Sequence, residues 1–298
     1  MPLSFFVRFQ CTFSNASLSF RLFSMRLNFF CDIDGTLLPF GKTVPGSAVE
    51  AIEKARLEGH RFFLSTGRSE CEIDECLKSI PFDGGAYSNG ATVVADSRVL
   101  RKVRMTDDDR SFIISYAEKN GLLFMFQTDE GTFLSHEAAA FFKESLMKAI
   151  GTVIPVPSTI EYDRLPESLP DVIKAIYFSP SHDLMRVRKE LGGRFQMVDN
   201  TDALPQTDMV EVCLPGLDKG TGVRDMISAL GEDMSSSVAI GDGANDIPML
   251  KAAALGIAMG NGSEDAKKSA DWITAKVDDD GFRKAVEYAV KTMHSVHI

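Results

Sequence analysis

The feature that most constrains this chain is a short apolar run at residues 27–30, followed by the sequence DIDGT at residues 32–36. Such a run is typical of a strand in a parallel sheet that is covered on both faces. Ligands of these sheets bind at the carboxyl ends of the strands, so we expect Asp32 to point into a site. Gly35 allows a sharp turn just beyond it. The segment therefore predicts an α/β fold with carboxylates at a strand end.

Two other interpretations fit this segment alone: an acidic turn after a strand, and part of a calcium-binding loop. The calcium loop requires further acidic or amide ligands and a terminal Glu. Here Thr36 is followed by Leu37 and Leu38, which disfavours that loop without excluding it. The rest of the chain has to decide between the alternatives.

Three further segments place polar groups at or near the ends of strand-like runs. Residues 62–68 read FFLSTGR, and residues 238–250 read VAIGDGANDIPML. Lys219 and Gly220 lie a few residues beyond the apolar segment 209–214. Because the carboxyl ends of parallel strands meet at one edge of a sheet, we expect all four sets of polar groups to gather there.

In this order, the four segments resemble the motifs of the haloacid-dehalogenase-like superfamily, in which DxDGT is the nucleophile motif. The combination is most similar to the Cof-type branch, whose members are mostly small-metabolite phosphatases, and it covers roughly the whole chain from Met25 onward. It implies an α/β fold, with a Rossmann-like parallel sheet core and an inserted α/β cap. It also implies Mg²⁺-dependent hydrolysis of a small phosphorylated metabolite, such as a sugar phosphate or a similar phosphate monoester, through an aspartyl-phosphate.

Asp32 and Asp34 are the predicted catalytic residues. Asp32 is expected to attack phosphorus as a carboxylate nucleophile. Asp34 is expected to protonate the leaving oxygen and then to deprotonate the attacking water. Mg²⁺ takes one or two carboxylates together with waters and phosphate oxygens, so Asp32 and Asp242 are the predicted carboxylate ligands. The resemblance implies that Asp34 adds its backbone carbonyl as a third metal ligand.

The predicted phosphate-binding groups are the hydroxyl of Thr66, the amide of Gly67, the ammonium of Lys219 and the side-chain amide of Asn245. Asp246 has two compatible interpretations. It is expected to orient Lys219 or a metal-bound water, and it also suits the first turn of a helix as an acidic residue.

Arg68 and Asn89 keep two alternatives each. Arg68 is expected either to contact the substrate or to pair with a carboxylate of the core. Asn89 precedes Gly90, and Asn-Gly is typical of a tight turn. Asn89 is therefore expected either to form that turn or to line the site, as the equivalent position does in the family that the chain resembles.

The alternation of strand and helix patterns predicts a catalytic core at residues 25–104 and 206–298. Residues 105–205 carry their own complement of elements and are predicted to form the inserted cap. Within the core, Ser69 and Glu72 have the spacing of a capping box, which predicts a helix start.

Residues 1–24 lie outside the fold pattern and contain no acidic residue. They are expected to be an upstream extension, disordered or preceding the true start at Met25. A transit peptide, which is rich in Arg and Ser and poor in acids, is the alternative. A secretory signal is disfavoured because the apolar runs are short and broken.

The net charge of −10 and the pI of about 5.1 exclude sequence-independent nucleic-acid binding as the main role, since that needs a basic surface. Five scattered cysteines predict a reducing, cytoplasmic location rather than a disulfide framework. No window is long enough to span a membrane. The resemblance implies that the partner is a small phosphorylated metabolite. The sequence fixes neither the oligomeric state nor the substrate.

Two other functions share parts of this pattern. A phosphomutase or phosphotransferase of the same fold would use the same motifs and differ only in the acceptor. A phosphometabolite sensor without catalysis would be expected to lack Asp32 or Asp34, and both are present. A hydrolase is therefore the preferred prediction.

Overall fold

The computed structural model describes residues 25–39, 43–150, 158–165, 169, 171–178, 184–198 and 209–295. The predicted extension at residues 1–24 lies outside these ranges, and so do residues 199–208, which contain the predicted boundary between cap and core.

Within the described ranges the strands are, in chain order, β1 (Asn28–Cys31), β2 (Arg61–Ser65), β3 (Gly84–Tyr87), β4 (Thr92–Ala95), β5 (Arg98–Lys102), β6 (Leu123–Thr128), β7 (Thr132–Ser135), β8 (Thr159–Tyr162), β9 (Val172–Phe178), β10 (Gln196–Val198), β11 (Met209–Cys213), β12 (Ser237–Gly241), β13 (Leu255–Ala258) and β14 (Trp272–Ile273). The α-helices are α1 (Gly46–Leu57), α2 (Glu75–Lys78), α3 (Asp107–Asn120), α4 (His136–Ile150), α5 (Leu184–Leu191), α6 (Lys219–Ala229), α7 (Ile247–Ala252), α8 (Glu264–Ser269) and α9 (Gly281–Ser295).

The first sheet has the strand order β14-β13-β12-β1-β2-β3-β4-β5. The strands from β14 to β3 run parallel to one another, whereas β4 and β5 are added antiparallel at one edge. This sheet confirms the predicted parallel core. Its central strands, β12, β1 and β2, lie side by side, so their carboxyl ends meet at one place.

Both faces of the first sheet are covered, as the apolar strands require. Successive side chains of a strand point to opposite faces. Phe29 of β1 packs in a cluster with residues of α1 and α9, while Phe30 packs on the other face with residues of α6 and α7. Because all four residues of β1 are buried, this strand needs cover on both faces, which the middle of the sheet provides.

The second module is inserted between β5 and α6, and its sheet has the order β10-β11-β9-β6-β7-β8. Helices α3 and α5 pack on one face of this sheet through residues such as Ile113 and Val187. Helix α4 covers the other face through Ala138 and Ala139. The insertion agrees with the predicted α/β cap.

Strand β11 is placed differently from the sequence prediction. The predicted boundary assigned residues 206–298 to the core, but β11 pairs antiparallel with β9 and β10 in the second sheet. An apolar run fits either sheet, so its composition could not assign it. The second sheet therefore extends to Cys213, and Lys219 follows a strand of the cap. None of the helices in the described part of the chain is long and apolar enough to cross a bilayer.

Candidate active site

The site is built first from two neighbouring strands of the core. Asp32 directly follows β1, and Asp242 directly follows β12, which is paired in parallel with β1. The backbone N–H of Asp32 donates to the carbonyl of Ile240 at 3.0 Å, which extends the strand pairing by one residue. The two aspartates therefore lie side by side at the carboxyl edge of the sheet, as the sequence predicted.

The turn after Asp32 requires a glycine. Gly35 has a φ of 86°, a conformation that is costly for residues with a Cβ. A Cβ at this position would also lie 2.3 Å from Oδ2 of Asp242. Thr36 then donates from Oγ1 to Oδ1 of Asp242 at 3.0 Å. The DIDGT turn therefore holds the Asp242 carboxylate through both a close approach and a hydrogen bond.

Lys219, the first residue of α6, is fully buried between two carboxylates. Its Nζ donates to Oδ1 of Asp32 at 2.6 Å and to Oδ1 of Asp246 at 2.5 Å. Burial alone would lower the pKa of Lys219, but the attraction of Asp246 and Asp32 outweighs it and raises that pKa. The lysine is therefore a fixed positive charge beside Asp32.

Asp246 accepts hydrogen bonds at both of its carboxylate oxygens. Oδ1 accepts from Lys219, and Oδ2 accepts from the backbone N–H groups of Asp242 at 2.8 Å and Gly243 at 2.9 Å. These contacts link the loop after β12 to Lys219. The contact with Lys219 fits the predicted role of Asp246 in orienting the lysine. The two backbone N–H groups that donate to Oδ2 fit its other interpretation, an acidic residue in the first turn of a helix.

The carboxylates of Asp32, Asp242 and Asp246 form a compact acidic cluster, with one oxygen from each lying within 4.8 Å of the others. Burial, followed by repulsion from Asp246, raises the pKa of Asp32 well above its usual value. The same two causes raise the pKa of Asp242 to about 7.

The charge of this cluster fits a small divalent cation. When ionised, three carboxylates face the single positive charge of Lys219, which leaves an excess of two negative charges. A divalent ion would offset this excess, and carboxylate oxygens are the ligands that Mg²⁺ prefers. Since Asp246 already accepts at both oxygens, Asp32 and Asp242 are the better placed ligands.

The loop after β2 brings Thr66, Gly67 and Arg68 to the same edge. The backbone N–H of Thr66 donates to the carbonyl of Ala86, and the Thr66 carbonyl accepts from the N–H of Asn89 at 2.9 Å. The Thr66 hydroxyl accepts from the N–H of Arg68 at 3.1 Å. These bonds tie the 66–68 loop to the turn that contains Asn89.

Arg68 forms the ion pair that was one of its two predicted alternatives. Its Nε donates to Oδ2 of Asp34 at 2.8 Å, and its Nη2 donates to Oδ1 at 2.6 Å. Its Nη1 donates to Asp74 at 2.7 Å. Burial lowers the pKa of Arg68, but Asp34 and Asp74 outweigh it and raise that pKa. Arg68 therefore fixes the Asp34 carboxylate at two points.

Asn89 and Asn245 approach the same point of the 66–68 loop. A Cβ built on Gly67 would lie 3.5 Å from Oδ1 of Asn89 and 3.8 Å from Nδ2 of Asn245. Asn89 also has a φ of 54°, so it occupies the left-handed region that suits its predicted turn. The structure therefore combines both of its predicted alternatives, a turn residue and a neighbour of the site.

Sequence reasoning missed two buried charged residues that the second module places near this edge, Lys174 and Glu211, and it gave Glu72 only a capping role although Glu72 is buried there too. Lys174 donates to the Gly67 carbonyl at 2.8 Å, and Glu211 accepts from Asn89 at 3.0 Å. A signal existed, because Lys174 and Glu211 each interrupt an otherwise apolar strand. A charged residue within such a strand needs a buried partner.

A family model for haloacid dehalogenase-like hydrolases matches residues 29–286. The chain belongs to this family. The match confirms the resemblance stated from the four motifs, and it covers the core together with the inserted module.

Similar proteins agree with this assignment. The chain is 28% identical to the putative phosphatase YkrA of Bacillus subtilis, over 89% of this chain and 96% of YkrA. It is also 28% identical to an Arabidopsis thaliana protein named chloroplastic endoribonuclease YBEY, of which it spans about half, 47% of the length. Among solved structures, the subclass IIB sugar phosphatase BT4131 is 27% identical with a TM-score of 0.72, covering 89% of this chain and 99% of that one.

Proposed function

We propose that this protein is a phosphatase that hydrolyses small phosphorylated metabolites with the help of Mg²⁺. The observation that carries the proposal is the buried Lys219, held between Asp32 and Asp246 at the strand ends where Asp242 also lies. Relatives named as phosphatases support the same reaction class. The sugar phosphatase among the similar structures makes a sugar phosphate the first substrate class to test.

In the proposed reaction, Asp32 attacks phosphorus and forms an aspartyl-phosphate, which water then hydrolyses. Asp34 protonates the leaving oxygen and later accepts a proton from the attacking water, which requires its carboxylate to leave the two-point ion pair with Arg68. Lys219 stays charged beside Asp32 and stabilises the phosphoryl oxygens. Thr66, the amide of Gly67 and Asn245 would bind the remaining phosphate oxygens.

Asp32, Asp242 and the backbone carbonyl of Asp34 are the proposed protein ligands of Mg²⁺. When bound, the ion would neutralise charge on the phosphoryl group. Asp246 contributes indirectly, because it fixes Lys219 and the backbone at Asp242. We also propose a reducing, cytoplasmic location, which is supported by the free state of Cys31, Cys71, Cys76 and Cys213.

The test is phosphate release from a panel of phosphorylated metabolites and an aryl phosphate, with and without Mg²⁺. We expect Mg²⁺-dependent release by the wild type and none by Asp32→Asn. Transfer of phosphate to an added alcohol or sugar, without release, would instead support the phosphotransferase alternative. An absence of turnover on the whole panel with Mg²⁺ present would contradict the proposal.

A further inference from the structure

The 66–68 loop of the candidate site is held by its three consecutive backbone carbonyls. The first and third carbonyls accept from the backbone N–H groups of Asn89 at 2.9 Å and of Ser88 at 2.8 Å. Both donors belong to the turn after β3, within the core. The middle carbonyl, that of Gly67, instead accepts from Nζ of Lys174 at 2.8 Å. One of the three anchors of this loop therefore comes from the second module.

Lys174 is a costly residue at its place in β9. It is 2% exposed, and its Nζ also donates to Oε1 of Glu211 at 2.6 Å. Burial alone would lower the pKa of Lys174, but the attraction of Glu211 outweighs it and raises that pKa. A buried ion pair rarely makes a protein more stable than apolar residues of similar size would. Lys174 therefore calls for a role outside the stability of the second sheet.

The middle carbonyl is also the one that most needs an anchor. Gly67 has no Cβ, so its backbone dihedral angles are restricted less than those of its neighbours. The peptide that joins Gly67 to Arg68 is planar and trans, so the Gly67 carbonyl and the Arg68 N–H point in opposite directions. By holding the carbonyl, Lys174 therefore also fixes the direction of the Arg68 N–H.

The Arg68 N–H in turn orients the Thr66 hydroxyl. It donates to Oγ1 of Thr66 at 3.1 Å. A hydroxyl carries one hydrogen and two acceptor lone pairs. Because Oγ1 accepts from Arg68, its hydrogen is directed away from Arg68 and stays available to donate to a phosphate oxygen. The contacts therefore form a chain from Lys174 through the peptide between Gly67 and Arg68 to the Thr66 hydroxyl.

We propose that Lys174 of the second module is a positioning residue for the phosphate site, because it fixes the peptide that directs the Thr66 hydroxyl hydrogen towards the phosphate. This inference rests on the proposed phosphatase function. It gives the cap a part in binding the phosphate group itself, whatever organic group the phosphate is attached to. The 66–68 loop is then complete only while the second module lies on the core.

The metal ligands and the buried lysine of the core do not depend on this chain of contacts. Asp242 accepts from Oγ1 of Thr36 at 3.0 Å, and Lys219 donates to Asp32 at 2.6 Å. Losing the contact of Lys174 should therefore weaken the binding of phosphate and leave the affinity for Mg²⁺ at its wild-type value.

The experiment measures the dissociation constant of inorganic phosphate, in the presence of Mg²⁺, for the wild type, Lys174→Met, Thr66→Val and the double variant. Inorganic phosphate has no organic group, so a contact of the cap with such a group cannot contribute. We expect each single variant to bind phosphate about tenfold or more weakly, which is the effect of one hydrogen bond to a charged group. The double variant should be no more than about twofold weaker than Thr66→Val, because Lys174 acts through the hydroxyl.

Two results would overturn the inference. One is an unchanged affinity for phosphate in a folded Lys174→Met protein, which would leave Lys174 a structural role only. The other is an effect of Lys174→Met that persists in full in the Thr66→Val background, which would indicate a direct contact with phosphate or a general distortion. The control is Lys143→Met, which breaks the more exposed pair of Lys143 with Glu161 in the same module, and it should keep the wild-type affinity.

A neutral variant covers the case in which Lys174→Met does not fold, since that change leaves a buried charge on Glu211 that the ammonium no longer offsets. Lys174→Met combined with Glu211→Gln then takes its place in the same cycle, and the new amide oxygen can still accept from Asn89. The panel of phosphate esters separates this inference from the proposed function. Coupled phosphate binding without turnover of any ester would support the inference and contradict the phosphatase, whereas turnover with independent effects of the two substitutions would do the reverse.

Discussion

Replacing Lys219 by Met should destabilise the protein through charge rather than through packing. Met has a similar length and fills the same space, but Asp32 and Asp246 would lose the ammonium that both contact. Removing one partner of a buried ion pair costs about 3–5 kcal/mol. With a urea dependence of about 2–3 kcal/mol per M, the unfolding midpoint should fall by about 1–2.5 M at pH 8 without Mg²⁺.

The stability that Lys219→Met loses should depend on pH and on Mg²⁺. The pKa of Asp242 is raised to about 7, and that of Asp32 is also raised. A carboxyl with a raised pKa in the folded state favours folding at low pH, and this stability is lost as pH rises through that pKa. At pH 5 the cluster is therefore partly protonated, and the loss in Lys219→Met should shrink. Mg²⁺ at pH 8 should shrink it too, because the ion replaces part of the missing charge.

Urea unfolding at pH 5 and pH 8, with and without Mg²⁺, checks both expectations. Lys251→Met is the matched control, since Lys251 is exposed on α7, and it should change stability by less than about 0.5 kcal/mol. Phosphate release by Lys219→Met should fall by about 10²–10³-fold. A loss of stability that is equal at both pH values and insensitive to Mg²⁺ would refute the charge argument and indicate packing.

Three further predictions concern single residues. Asp32→Asn should lower phosphate release by about 10⁴-fold or more while circular dichroism shows a folded protein, and substantial turnover would show that another residue attacks. Gly35→Ala should abolish Mg²⁺-dependent activity, because the new Cβ would collide with the Asp242 carboxylate. It should also lower the free energy of unfolding by about 1–2 kcal/mol, because the φ of 86° is strained for alanine. Gly46→Ala is the control and should have neither effect, since the space around Gly46 is open. Burial, followed by repulsion from His294, lowers the pKa of His60 to about 4. The neutral form of His60 therefore contributes to the free energy of unfolding at neutral pH, and this contribution should be lost as pH falls from about 6.5 towards 4. After allowance for solvent screening, this loss is up to about 2 kcal/mol. Between pH 7 and pH 4.5, the free energy of unfolding in urea should therefore change less in His60→Gln than in the wild type. An equal change in both proteins would exclude His60 as the source.

Much of the core could be predicted because the relevant information is local. The apolar runs before Asp32 and Asp242 each define a buried strand, and parallel strands bring their carboxyl ends together. The capping box of Ser69 and Glu72 also forms, although the helix that it opens is only a 3₁₀ turn, Glu70–Glu72, and the next α-helix begins at Glu75. In such cases, neighbouring residues in the sequence carry both the element and its chemistry.

The contacts between the two modules could not be predicted because they join residues that are distant in sequence. The Glu72 carboxylate completes its capping box and also accepts from Gln127 and Thr132 of the second module. The placement of β11 depends in the same way on pairing with β9 rather than on its own composition. The partner of Arg68 was likewise left open, since many carboxylates were available and only the folded chain brings Asp34 to it.

The short link from β11 to α6 has a mechanical consequence. Pro215 and Gly216 are exposed, and Gly216 has a φ of 77°, so resistance to rotation of the second module lies in its buried contacts with the core, such as Lys174 with Gly67, rather than in this link. Just beyond it, the Asp218 carboxylate accepts from the N–H of Thr221 and anchors the first turn of α6. Rotation of the second module about this link would therefore leave Lys219 stationary. Such decoupling allows the cap to diverge, or to be exchanged by an engineer, while the reaction centre keeps its alignment.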